Sequence, residues 1–282
     1  MANESSATRR RTRVSVAGWY LLLTGLSLII LFPVWMTIVR ALSEPFIYIE
    51  EGQPLYPVSI DWGVFSTAWS DGDLGRSMAL TLLVTAIITV FQLVTSVLAA
   101  YSFAFVRFPF KNTLFVVLLA SLLLPVEVTL IANVRTIREL GWLDSAQGLS
   151  APFLASAFGI FLIRQGFLGV PSELRDAARI DGFGHFAFLR RVAIPVNRPI
   201  IASLTLITAL AAWNQYLWPR TATTQERWET IQVTLRSISV QRPERFNVGV
   251  AAAIIASLPI LALLVVFQRQ IIRGLTAGAV KG

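Results

Sequence analysis

Two places in this chain put polar chemistry where the surrounding residues are apolar. The first is Glu127, in LLLPVEVTLIANV. An ionisable group inside an apolar run is costly and is normally turned toward protein or a water-filled path. Pro125, two residues earlier, lacks a backbone donor and is expected to bend or open its helix. Glu127 therefore has two readings: a carboxylate lining a pathway beside a kink, or a structural glutamate paired to another helix or reaching the outer surface. The second place is Trp213-Asn214-Gln215-Tyr216-Leu217-Trp218-Pro219. Rings that cover apolar faces and amides that bond hydroxyls suit a hydroxylated ligand, with Trp213, Asn214, Gln215 and Tyr216 as its candidate contacts. An interfacial aromatic belt is the competing reading. Gln92, Thr95 and Ser96 read as helix-packing polar residues, and Arg164-Gln165 as a snorkelling anchor.

Other chemistry is excluded by what the chain lacks. It has no cysteine, so disulfides and thiolate metal sites are out, and no metal site is expected. His185 is its only histidine, which removes most histidine-based triads and metal centres. No phosphate-cradling G-x-x-x-x-G-K-[ST] sequence occurs, so the chain is not itself an ATPase. No catalytic residue is assigned.

The elements that must position these groups are legible from hydropathy. Of 282 residues, 55% are hydrophobic and 14% charged, against about a quarter charged in soluble domains. The apolar content falls in six blocks, near 14–39, 77–106, 112–133, 149–169, 199–218 and 247–271. Each is long enough to cross a bilayer at about 20 residues per span. Backbone groups in hydrocarbon must satisfy one another, so the expected fold class is all-α integral membrane with six transmembrane helices. The first block is too long for the core of a cleaved signal peptide and is read as a retained helix. The expected organisation is an N-terminal tail at 1–13, a membrane domain at 14–271 and a C-terminal tail at 272–282.

Charge sets the expected topology. Arg9, Arg10, Arg11, Arg13, Arg107, Lys111, Arg175, Arg179, Arg190, Arg191, Arg198, Arg273 and Lys281 fall on one side of the six spans. Most acids, including Glu44, Glu50, Asp61, Asp144 and Glu229, fall on the other. The positive-inside rule places both termini and the 171–198 loop in the cytoplasm. The net charge of +8 is thus a topology signal. Basic residues dispersed among membrane loops do not make a nucleic-acid surface. On the outer side, SIDWGVFSTAWS is expected to form a short amphipathic helix through Trp62, Phe65 and Trp69. Loop 134–150 should turn near Gly141. Loop 219–246 is either a contact for a soluble protein or a solvated connector.

The longest polar interruption on the cytoplasmic side is PSELRDAARIDGFGHFAFLRRVAIPVNRP, residues 171–199. Ser172 is a good N-cap, and Glu173 and Asp176 suit the positive first turn of a helix. Leu174, Ala177, Ala178 and Asp181 share a face, narrow enough to enter a partner's cleft. Gly182 and Gly184 release the helix. Phe183, Phe186 and Leu189 form a second apolar stripe, and Val192-Ala193-Ile194-Pro195 closes the unit. Such a segment is either a docking surface for a partner that supplies energy or an amphipathic loop lying on its own bundle.

Its spacing resembles the EAA motif of permease subunits in binding-protein-dependent ABC importers: E-A-A, three residues, G, nine residues, I-x-L-P. Here it reads Asp176-Ala177-Ala178, then Gly182, then Val192-Ala193-Ile194-Pro195. Asp replaces Glu, Val replaces Ile and Ile replaces Leu. The resemblance runs from the first span to GLTAGAVKG (274–282), similar to the tail of maltose-type permeases. The pieces RFPFKN, LPVEV, ARIDG and WNQYLWP are most similar to one of the two permeases of glycerol-3-phosphate/glycerophosphodiester importers.

This resemblance implies the type I ABC importer permease fold and residence in the plasma (inner) membrane of a prokaryote. It implies a second, homologous permease, two cytoplasmic ATPase subunits carrying ATP and Mg, and an extracytoplasmic substrate-binding protein, with membrane lipid around the spans. Glu173, Asp176, Ala177, Ala178, Asp181, Gly182 and Phe186 are then the ATPase-coupling residues. No cofactor is expected on this chain. The implied cargo is glycerol 3-phosphate or a glycerophosphodiester such as glycerophosphocholine. A di- or oligosaccharide permease of the same family is the alternative, and an ion-coupled secondary transporter the rival from another class.

Overall fold

The computed structural model describes the backbone of residues 2–241 and 243–279, and the side chains of residues 18–125, 127–241 and 243–268. The side chains of the N-terminal arginines and of Arg273, and the whole of 280–282 in the GLTAGAVKG tail, lie outside the described residues. Among the described residues regular structure is helical throughout. Three segments are long and apolar enough to cross a membrane unaided: Gly18–Leu42, Leu74–Phe105 and Pro243–Gln268. Three more stretches reach that length only if a bent pair of helices counts as one span, so length and composition admit three to six spans.

The breaks have sequence causes. Lys111–Leu123 and Glu127–Glu139 meet at 100°, across an extended Leu124-Pro125 step. Proline lacks the N–H that would continue the helix and disfavours helical geometry in the residue before it. The second half runs on to Glu139, beyond the expected boundary near 133, and the turn at Gly141 (φ +69°) follows. The fourth span bends by 49° between Ala146–Phe153 and Ala157–Leu168. The Ser156 hydroxyl restarts it by accepting from the Gly159 N–H. The fifth is the helix Arg198–Trp213, entered at 79° from His185–Val196. It stops at Trp213, five residues short of the expected end.

One compact unit comprises residues 1–72 with 238–255. Its first helix, Ala2–Leu42, ends where the Ser43 hydroxyl bonds back to the Val39 carbonyl and receives the Val58 N–H. Tyr48 is fully buried against Val39, Val58 and Phe246. The Arg40 guanidinium lies 5.2 Å over the Phe246 ring. The expected amphipathic helix is present at Val64–Asp71: Val64 and Ala68 are buried, Phe65 is half-buried, and Trp62 and Trp69 are exposed. Large rings at a membrane surface face outward because that is where an apolar solvent meets them.

The other unit comprises residues 73–237 with 256–282. Its centre is Leu74–Phe105 packed on Ala157–Leu168 and Arg198–Trp213. Two glycines make this packing close. A side chain at Gly159 would strike Ser96 and Leu204, and one at Gly166 would strike Asn197 and Ile200. Small residues are how membrane helices approach one another without a hydrophobic driving force. Gln92 bridges the layers, donating to the Phe153 carbonyl (3.0 Å) and accepting from the Thr208 hydroxyl (2.7 Å). Thr95 donates to Leu154 at 2.9 Å, and Ser96 is buried, so this polar triplet packs helices as its sequence implies. Arg164 departs from the snorkelling expectation. It is half-buried, stacks 4.1 Å over Phe115 and donates to the Phe103 carbonyl. Loop 219–246 is mostly helical. It contains Leu217–Ala222 and Ile231–Gln241, with Ile231 and Val233 buried.

Candidate functional site

The 171–199 segment folds as two short helices hinged at a glycine. The first is Ser172–Ile180. Pro171 occupies its N-cap position, so Ser172 is the first helical residue and makes no side-chain cap, contrary to expectation. Proline's fixed φ suits the entry to a helix. Glu173 sits in the positive first turn. The helix ends in a Schellman turn: the Gly182 N–H bonds Arg179 O (3.0 Å) and the Phe183 N–H bonds Ala178 O (2.8 Å). Gly182 has φ +74°, which explains why the motif needs glycine there.

Which residues this segment presents follows from burial. Glu173, Leu174, Asp176, Ala177, Ile180, Asp181 and Phe186 are exposed, Phe186 by 73%. Ala178 is buried, so of the two motif alanines only Ala177 is outward. The second stripe is split, with Phe183 half-buried, Leu189 buried and Phe186 outside it. After His185–Phe188 the chain widens into a π-turn at Leu189–Ala193 before Pro195. Asn197 then locks the entry to the fifth span, buried with its amide on Ala193 O at 2.9 Å.

The inner face of the segment is clamped to the bundle. Ala178, Phe188 and Leu189 bury into one cluster with Tyr101, Ile163, Phe167 and Leu204, with Phe105 packed against it. Phe105 and Phe188 meet edge to face at 5.3 Å. The Tyr101 hydroxyl and His185 Nδ1 are 2.9 Å apart. Sequence reasoning missed Tyr101, Phe105, Phe167 and Phe188. The signal available was Tyr101 and Phe105, one turn apart at the end of their helix. A ring pair there needs a partner surface just beyond the span.

The pathway candidates fare unevenly. Glu127 is exposed in the first turn of Val126–Glu139, immediately after the break. Of the 213–218 aromatics, Trp213 is only 3% exposed and Trp218 is also buried, its indole N–H shared by the Gly148 and Leu149 carbonyls. These two rings are core, which corrects the reading of Trp213 as a ligand contact. Asn214 and Tyr216 are exposed and Gln215 half-buried. The Asn214 side-chain oxygen accepts from Gln232 at 3.3 Å. Val126–Glu139 and the 212–222 region share one core, through Val134 and Ile137 against Ala212, Trp218 and Ala222. The two candidate places thus belong to one packed layer. Among the described residues no group of three His, Cys, Asp or Glu stands ready for a metal ion.

Residues 92–277 match the family model for the binding-protein-dependent transport system inner membrane component. The chain belongs to this family. It is a permease of a binding-protein-dependent ABC importer, an inner-membrane protein. Similar relatives include the sn-glycerol-3-phosphate transport system permease protein UgpE of Rhizobium meliloti (strain 1021), 34% identical over 94% of this chain and 97% of the relative. The UgpE protein of Pectobacterium atrosepticum is 32% identical over 94% and 97% of the two chains. Among solved structures, a bacterial ABC transporter involved in the import of the acidic polysaccharide alginate superposes with TM-score 0.77 at 24% identity, covering 91% of this chain and 96% of that one. The expected permease fold is therefore the fold observed, and the family does not favour the secondary-transporter reading.

Proposed function

We propose that this permease forms half of the translocation pathway for glycerol 3-phosphate or glycerophosphodiesters. The second half would be a homologous permease, ATP and Mg would be handled by two separate cytoplasmic ATPase subunits, and an extracytoplasmic binding protein would deliver the cargo. The observation that carries the cargo is the 32–34% identity to relatives named for sn-glycerol-3-phosphate transport over more than nine-tenths of the chain. The positive-inside pattern supports both termini and the 171–199 segment being cytoplasmic.

In this reading the outward residues Glu173, Asp176, Ala177, Asp181 and Phe186 enter a cleft on the ATPase. Ala178 and Gly182 serve from within, one as packing and one as the turn. When the ATPases close, the segment moves as a body, because its inner face is buried in the Tyr101–Phe105–Phe167–Phe188 cluster. The displacement passes to Leu74–Phe105 and Ala157–Leu168, and access switches across the membrane. Asn214, Gln215 and Tyr216 offer amide and hydroxyl groups to glycerol hydroxyls. Glu127 would repel a phosphate and is better placed beside a hydroxyl or a cationic head group.

The test is uptake into proteoliposomes holding the whole importer with its binding protein. Labelled glycerol 3-phosphate, glycerophosphocholine and a disaccharide are offered separately. ATP-dependent accumulation of either glycerol compound supports the proposal; accumulation of the disaccharide alone overturns it.

A further inference from the structure

An open cleft of about 200 Å³ lies between Ser172–Ile180, the Gly182–Gly184 turn and the end of Leu74–Phe105. Its apolar walls are the rings of Phe105, Phe183 and Phe188, and its polar lining is Arg175, Arg179, His185 and Tyr101. No carboxylate lines it. Arg191 adds a further cation behind one wall, its guanidinium 5.2 Å over the Phe183 ring. Arg179 touches Asp176 only at 3.7 Å, in an exposed pair, which leaves its donors available.

Arg175 supplies the most direct sign of a missing partner. Its Nε is buried and has no hydrogen-bond partner among the described residues. A buried donor left unmade is costly, and more so when charged, so this position calls for an anionic acceptor. The Tyr101 hydroxyl, 2.9 Å from His185 Nδ1, can donate toward the same space when the histidine nitrogen carries its own proton. Several cationic and neutral donors converge without an acid among them.

We propose that this cleft binds a phosphate group, supplied by an anionic phospholipid headgroup or by a free phosphate ion. Guanidinium forks match phosphate oxygens and form the stronger, charge-assisted class of hydrogen bond. The volume is below the roughly 300–1,000 Å³ of a site for a drug-sized solute, so the cleft takes a headgroup or an ion rather than a whole cargo molecule. It lies at the end of a membrane-spanning helix, where Tyr101 and Phe105 line it. Basic pockets at such ends are where headgroups are held. An occupant bridges the Arg175 helix to the Tyr101 end of the span and braces the joint between them. This site is independent of the cargo proposed above.

The experiment uses the assembled importer in neutral detergent, with native mass spectrometry reading retained adducts. In one arm phosphatidylglycerol is titrated against diacylglycerol, which lacks the phosphate. In the other, inorganic phosphate is titrated at fixed ionic strength. Wild type is compared with Arg175→Gln/Arg179→Gln and with Arg190→Gln, an exposed arginine outside the cleft. The expected result is an apparent affinity about tenfold or more weaker in the double variant and within about twofold of wild type for Arg190→Gln. If the double variant does not assemble, exposed Arg179→Gln alone carries the comparison. Response to the lipid alone assigns the headgroup, and response to the ion assigns free phosphate. Equal retention by wild type and cleft variants, or no retention in either arm, overturns the proposal.

Discussion

At the scale of single residues, the backbone decides more than side-chain chemistry. Gly182→Ala places a Cβ at φ +74° and is expected to cost about 1 kcal/mol. Open space surrounds the position, so the loss is conformational and appears as reduced coupling, measured as ATP hydrolysed per solute moved. Asp144 offers a second test. Burial pushes its carboxyl up, but the Thr224 hydroxyl and N–H, the Gln225 N–H and the Arg227 charge outweigh that and hold it below the ordinary value of 3.8. A depressed folded value means the stabilisation is fully present above 3.8, and is lost as pH falls through the folded value. Near neutral pH, Asp144→Ala should therefore free the Thr224 and Gln225 amides. Hydrogen exchange there should quicken about tenfold or more, while wild type holds them from pH 5 to 8.

At the scale of elements, the break at Leu124-Pro125 and the anchored 171–199 segment make separate predictions. Pro125→Ala restores a backbone donor at the 100° break and should let the two halves straighten. The chain contains no cysteine, so cysteines introduced at Val117 and Ile131 can carry spin labels without background. Their separation should lengthen in the variant, and an unchanged distance would show that tertiary packing rather than proline sets the bend. Phe188→Ala empties a ring from the aromatic joint and should cost roughly 3 kcal/mol locally. ATP hydrolysis should persist while transport falls severalfold, since the segment would still meet its partner but would grip its own bundle less firmly.

At the scale of the whole molecule, the spans were legible in hydropathy because bilayer thickness imposes one length on all of them. The two-helix form of the 171–199 segment was legible because Asp176, Gly182 and Pro195 sit at motif spacing. Gly182, read as releasing the helix, sits at φ +74° where that helix ends. What the sequence concealed was direction. Trp213 and Trp218 look like ligand-facing rings in one dimension. Both are buried in three, and Trp218 bonds Gly148 and Leu149 across the fold. Trp62 and Trp69, read as the apolar residues of a surface helix, are exposed. Phe188 was overlooked because it falls outside the Phe183–Phe186–Leu189 spacing, and its partners Tyr101 and Phe105 lie far away in sequence.

Gly159 and Gly166 lie seven residues apart on one helix, Gly159 pressed against Ser96 of Leu74–Phe105 and Leu204 of Arg198–Trp213, and Gly166 against Asn197 and Ile200 at the head of the latter. Seven residues make about two turns, so both glycines look out from nearly the same side. The fourth span is consequently a keel shared by the second and the fifth. Backbones seated that closely have no slack for one helix to slide past another. If the proposed transport cycle holds, the trio is expected to travel as one hull, with pliancy left to the places where the chain is already broken, chief among them the Leu124-Pro125 step.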